Sequence, residues 1–162
     1  MDTKSATGPF ANLPPVLQLL HEAKAAQRKT FAELAEALGK AEIWVAALFY
    51  GQAKPSPQDL QTLSSVLQVP LIKLRGIGGL GKEWWPYRGL GGGIPTDPLI
   101  YRLYEGVLVY GHPIKAVIHE KFNGDGIMSM IDCRVSVEKK EDPKGDRVVL
   151  TFDGKFLPYA VW

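Results

Sequence analysis

Apolar positions recur at helical spacing through the first half of the chain and switch to a period of two towards its end. Val16, Leu19, Leu20 and Ala23 share one face of a helix entered through Asn12-Leu13-Pro14-Pro15. Thr30 and Glu33 stand at capping-box spacing, where hydroxyl and carboxylate each satisfy a free backbone N–H at a helix start. The helix they open, F-A-E-L-A-E-A-L, stops at Gly39; A-E-I-W-V-A-A-L-F-Y follows up to Gly51, and Q-D-L-Q-T-L-S-S-V-L-Q-V comes after K-P-S-P. Residues 1–75 therefore read as an N-terminal helical bundle.

The pattern lapses over residues 76–94, rich in glycine and aromatics, which read as a linker anchored by Trp84, Trp85 and Tyr87. It resumes over 95–162. Asp97 is placed to cap a helix and Pro98 suits its first position. Gly111 is expected to end that helix, Pro113 to start a second one through about Phe122, and Asn123-Gly-Asp-Gly126 to make a tight turn. Ile127, Ser129, Ile131, Cys133, Val135 and Val137 then alternate with polar residues and methionines as on a strand. R-V-V-L-T-F-D returns antiparallel to a turn at Asp153-Gly154-Lys155, and the tail with Pro158 suits an edge or an arm. The fold class is α+β: a helical bundle, then a small two-helix plus β-hairpin domain. So thin a core leaves apolar surface for another subunit to cover.

Helix, short glycine turn, helix is also the repressor-type helix-turn-helix pattern, which makes a DNA-binding regulator an alternative. Base reading asks for Arg, Asn, Gln or Ser on the outer face of the second helix. From Ala41 to Tyr50 that helix has Glu42 and nine apolar or aromatic residues, a composition suited to being covered by protein. The glycines of 76–81 satisfy G-x-G-x-x-G, but no amphipathic helix follows, and the near P-loop ending in Lys82 has Glu83 where a magnesium-binding hydroxyl belongs.

Charge and cysteine content narrow the field. Residues 1–75 carry eight Lys/Arg against six Asp/Glu and residues 76–162 eleven against eleven, so neither half has the basic concentration of a duplex-binding surface. Cys133 is the only cysteine, and His21, His112 and His119 have no metal-ligand spacing. No apolar run has the length of a membrane span and no signal-peptide pattern opens the chain, so a cytoplasmic, membrane-free protein is expected.

Between Leu99 and Tyr110 the only groups charged at neutral pH are Arg102 and Glu105, three apart in an otherwise apolar helix of the kind usually buried. Burying such a pair costs several kcal/mol in desolvation, which asks for a functional reason. An ordinary i,i+3 ion pair is the other reading. Ser129, after the glycine turn, is placed either to donate to an anion or to satisfy a nearby backbone group. It lies in M-S-M, outside any G-x-S-x-G context for a nucleophile.

P-Y-R-G (86–89), I-P-T-D-P (94–98), Y-R-L-Y-E (101–105), V-Y-G (109–111), K-A-V-I-H-E-K-F (115–122), G-D-G-I-M-S (124–129) and D-G-K-F-L-P (153–158) occur in order, and with them the chain from Thr30 onward resembles the cyanase (cyanate hydratase, cyanate lyase) family. It departs from the family pattern at Asn123, Met130, Cys133 and Gly91-Gly92-Gly93. The resemblance implies a repressor-like bundle that does not bind DNA, a C-terminal dimerisation domain, and a homo-oligomer, a decamer built from dimers. It implies that cyanate and bicarbonate give carbamate and carbon dioxide, and carbamate then gives ammonia and carbon dioxide, with no metal or organic cofactor and bicarbonate as co-substrate. The family's catalytic Arg, Glu and Ser fall on Arg102, Glu105 and Ser129. An inactive assembly protein of the same fold is the remaining alternative.

Overall fold

The computed structural model describes residues 10–86 and 93–160. In chain order the elements are α1 (Pro15–Ala26), α2 (Phe31–Leu38), α3 (Glu42–Phe49), α4 (Pro57–Leu67), α5 (Leu71–Arg75), α6 (Pro98–Lys121), β1 (Gly126–Lys140) and β2 (Arg147–Pro158). They divide into two compact units, Met1–Leu90 and Gly91–Trp162.

In the N-terminal unit the local signals act as their chemistry requires. Thr30 Oγ1 accepts from the Glu33 N–H at 3.1 Å, while Glu33 Oε2 accepts from the Thr30 N–H at 2.7 Å. Ser56 and Asp59 form the same reciprocal cap on α4, at 3.1 and 2.8 Å. The helices bury one apolar cluster that includes Leu20, Leu34, Val45, Leu48, Phe49 and Leu63, all at 0% exposure. Each such aliphatic burial stabilises by roughly 1.5–3 kcal/mol, so this unit closes a core by itself.

The stretch read as a linker begins inside that core. Leu80 is buried and Trp84 packs on the cluster, while Lys54 Nζ sits 3.5 Å above the Trp85 ring. A Cβ on Gly79 would lie 2.5 Å from the Leu74 carbonyl oxygen. That glycine therefore serves close backbone packing after α5, a one-turn helix too short to show a period. Tyr87–Gly92, with most of P-Y-R-G, lie outside the described residues.

In the C-terminal unit the two expected helices are one. Asp97 Oδ1 accepts from the Leu99 and Ile100 N–H groups, both at 2.9 Å, and α6 then runs 24 residues through Gly111 and Pro113. A glycine ends a helix by taking a left-handed φ. Gly111 does not take one, so Pro113 merely removes one donor from a continuing helix.

The actual end is at Asn123, whose φ is +50°. The Gly124 N–H donates to the His119 carbonyl at 3.1 Å and the Asn123 N–H to that of Glu120 at 3.3 Å, a Schellman closure with Asn in the left-handed position. His119 Nε2 then meets the Gly126 carbonyl oxygen at 3.1 Å and ties the helix to the start of β1.

The hairpin also departs from the expected pattern. β2 does not turn at Asp153-Gly154-Lys155 but stays paired with β1 as far as Gly126↔Pro158. The registers Cys133↔Gly154 and Met128↔Phe156 set four residues of β1, Ser129 to Asp132, against Lys155 alone. The strict alternation therefore breaks: Ser129 is 6% exposed and Ile131, two residues on, is 100% exposed.

His21 is, beside Asp59, a buried ionisable group of the N-terminal unit. It stacks on Phe10 at 3.8 Å, and with the carbonyl as acceptor its Nε2–H donates to Phe49 O at 3.2 Å. Burial holds its pKa below the ordinary 6.5; the Phe49 bond raises it and the Lys24 charge lowers it further. The unfolded chain thus binds a proton more readily, so stability is complete above pH 6.5 and declines as pH falls towards the lower folded value. Thermal unfolding followed by the fluorescence of Trp44, Trp84 and Trp85 should show this acid decline, and His21→Gln should flatten it. An unchanged slope in the variant would reject His21 as its source.

Candidate functional site

α6 sets Arg102 and Glu105 one turn apart, and Arg102 Nη1 donates to Glu105 Oε2 at 2.6 Å. The pair forms as its spacing predicts, but its expected burial is absent in a single chain: the side chains are 71% and 45% exposed. No residue of α6 is buried, because a two-stranded hairpin is too small to cover a helix apolar on most of its sides. In this setting the ion pair contributes about 0–1 kcal/mol. Its consequence is orientation: Glu105 holds one edge of the guanidinium and leaves the remaining donors free for a planar oxyanion.

Ser129 is placed differently. Its hydroxyl oxygen accepts from the Asp132 N–H at 3.0 Å across the β1 bulge. That bond satisfies the oxygen as an acceptor and leaves the hydroxyl hydrogen to be donated elsewhere. The serine thus satisfies a backbone group, as one of the two sequence readings has it, and that bond fixes the position of its oxygen. Among the described residues no hydrogen bond joins Ser129 to Arg102 or Glu105.

The same unit has an apolar groove of roughly 920 Å³, lined by Leu103, Val107 and Tyr110 of α6 and by Met130 and Phe152 of the hairpin. Leu99, Val107, Leu108 and Ile131 are all more than half exposed. Cys133 is half-buried in the strand, with its Sγ near the Arg134 carbonyl oxygen at 3.8 Å. Among the described residues no three His, Cys, Asp or Glu side chains come together as a metal-binding group. None of their helices is long and apolar enough to cross a membrane.

Sequence reasoning missed the supports of Ser129, namely the Asp132 N–H and the space left by Gly154. The signal was present in D-G-K, but a glycine between strand-like residues reads first as a turn.

Residues 93–161, which include Arg102, Glu105 and Ser129, match the family model of the cyanate lyase C-terminal domain. Cyanate hydratase of Laccaria bicolor is 61% identical over 156 residues, covering 96% of this chain and 93% of the relative. That of Coprinopsis cinerea is 59% identical over 148 residues, covering 91% and 96%. Among solved structures, cyanase from T. urticae superposes with a TM-score of 0.76 at 35% identity, over 88% of this chain and 96% of that one. With nearly its whole length aligned at such identity, the chain belongs to the cyanate hydratase (cyanate lyase) family.

Proposed function

We propose that this protein catalyses the bicarbonate-dependent decomposition of cyanate to carbamate and carbon dioxide, carbamate then releasing ammonia and a second carbon dioxide. The observation that carries this is the 61% identity to a cyanate hydratase over 96% of the chain. The Arg102–Glu105 contact and the donor left free on Ser129 support the assignment of roles.

Both substrates are anions, and at about 4 Å in an effective dielectric of about 20 they repel by roughly 4 kcal/mol. Arg102 offsets that repulsion: its guanidinium stays charged at any working pH and binds carboxylate-like groups through paired hydrogen bonds. A bicarbonate oxygen attacks the cyanate carbon, and the electron pair of the C–N π bond moves to nitrogen, which takes two protons, one from the bicarbonate hydroxyl and one from solvent. Cleavage of the bond between the bridging oxygen and the bicarbonate carbon then releases carbon dioxide and leaves carbamate. Ser129 donates its hydroxyl hydrogen to the oxyanion that develops, and Glu105 orients Arg102 or relays a proton to nitrogen.

Bicarbonate is the co-substrate, and the chemistry asks for no metal or organic cofactor. The working form is a homo-oligomer, a decamer built from dimers, with sites at seams between chains. The exposed apolar surface of α6 and of the hairpin supports association, and the exposure of Arg102 in one chain supports a site completed by a neighbour. α3 turns Val45, Leu48 and Phe49 into its own core and has Glu42 as its one polar side chain, which supports a role in packing without nucleic acid. A single cysteine fits the cytoplasm.

Purified protein should release ammonia from cyanate only when bicarbonate is present. Absence of ammonia above background from folded, assembled protein would remove the proposal. Light scattering should report a particle many times the 17.8 kDa chain, and a monomer with full activity would refute the shared site. Arg102→Lys and Glu105→Gln should each lower kcat by about 100-fold or more, the scale of losing one preorganised oxyanion contact. Particle size should be unchanged in both. Near-normal rates would reduce the pair to a surface ion pair.

A further inference from the structure

Gly154 lies in the middle of β2, where a glycine weakens a strand unless something needs the space. Its φ is not left-handed, so backbone freedom is not what the position demands. The demand is for room. A Cβ built there would lie 2.6 Å from Met128 Cγ and 2.6 Å from the Ser129 carbonyl oxygen. Real Cβ atoms do not approach backbone oxygen so closely, and a main-chain carbonyl cannot swing aside as a side-chain tip can.

These contacts fall where the register shifts. Ser129 to Asp132 of β1 are accommodated against Lys155 alone, and the extra chain folds back so that the Asp132 N–H reaches Ser129 Oγ at 3.0 Å. The serine carbonyl rests on the face of Gly154 while its hydroxyl is held across the bulge, and the side chain is left 6% exposed in an otherwise open unit. We propose that Gly154 is a positioning residue whose missing side chain admits the β1 bulge and thereby sets where the Ser129 hydroxyl meets a substrate anion. This rests on Ser129 acting as a donor in cyanate decomposition.

The test compares intact assemblies of wild type, Gly154→Ala, Ser129→Ala and the double variant. Gly154→Ala should keep particle size and lower kcat about tenfold or more, as expected for a donor displaced by a fraction of its bond length. On Ser129→Ala it should add less than about twofold, because the group it positions is gone. Hydrogen exchange by mass spectrometry should quicken over residues 129–133 in Gly154→Ala. Wild-type kcat in Gly154→Ala, losses that multiply in the double variant, or unchanged exchange would each overturn the proposal. Full activity in Ser129→Ala would overturn the functional role of the serine instead, and the proposal with it. Should Gly154→Ala fail to assemble, Asp132→Pro removes the N–H that holds the hydroxyl while leaving the Gly154 space open; a normal kcat there would overturn the proposal equally.

Discussion

Apolar helix surface in excess of what one hairpin can cover is the constraint on which the C-terminal unit depends. α6 is capped, 24 residues long and mostly apolar, yet none of its residues is buried within the chain. Hydrophobic stabilisation scales with area removed from water, and this unit removes little on its own. In the proposed homo-oligomer, a neighbouring chain would add to that burial and complete the surroundings of Arg102. The charge logic follows: an Arg–Glu pair that is nearly neutral in energy on an exposed helix becomes consequential once a neighbour excludes water, because the same charges then interact in a lower dielectric.

The N-terminal unit obeys the opposite condition. Its helices are short, α2 and α4 are capped by their own side chains, and the helix faces converge on one cluster whose central residues have no exposure. Leu80 and Trp84 extend that cluster into a stretch whose composition suggests a linker. Composition misleads there because glycines that allow backbone contact and glycines that loosen a chain are the same letter. The resemblance to a phosphate-binding loop fails for the same physical reason: the Gly79 position is closed by the Leu74 carbonyl, and Glu83 replaces the hydroxyl that a metal would need.

Between these regimes lies the Ser129 bulge, in which a small polar residue is buried inside an exposed hairpin. A regular strand would have set Ser129 and Ile131 on the same face with similar surroundings. The bulge separates them, the serine under the turn and the isoleucine in the open. Asn123, a departure from the family pattern, is absorbed as the left-handed residue of the α6 C-terminus, and His119 ties that terminus to Gly126. The path from helix to serine is thus held at both ends rather than left as a slack insertion.

What the sequence determined by itself was whatever depends on groups a few residues apart. The capping boxes, the Asp97 cap, the Arg102–Glu105 contact and the order of helices and strands all follow from spacing, because their partners lie within one or two turns. The Ser56–Asp59 cap has that same spacing and is equally legible in the sequence. Tertiary structure alone decided whether Gly111 and Gly154 ended their elements, where β1 slips its register, and which apolar faces remain open. A glycine or proline permits several backbone courses at similar local cost, so the choice belongs to distant atoms: the Ser129 carbonyl resting on Gly154 chose for β2.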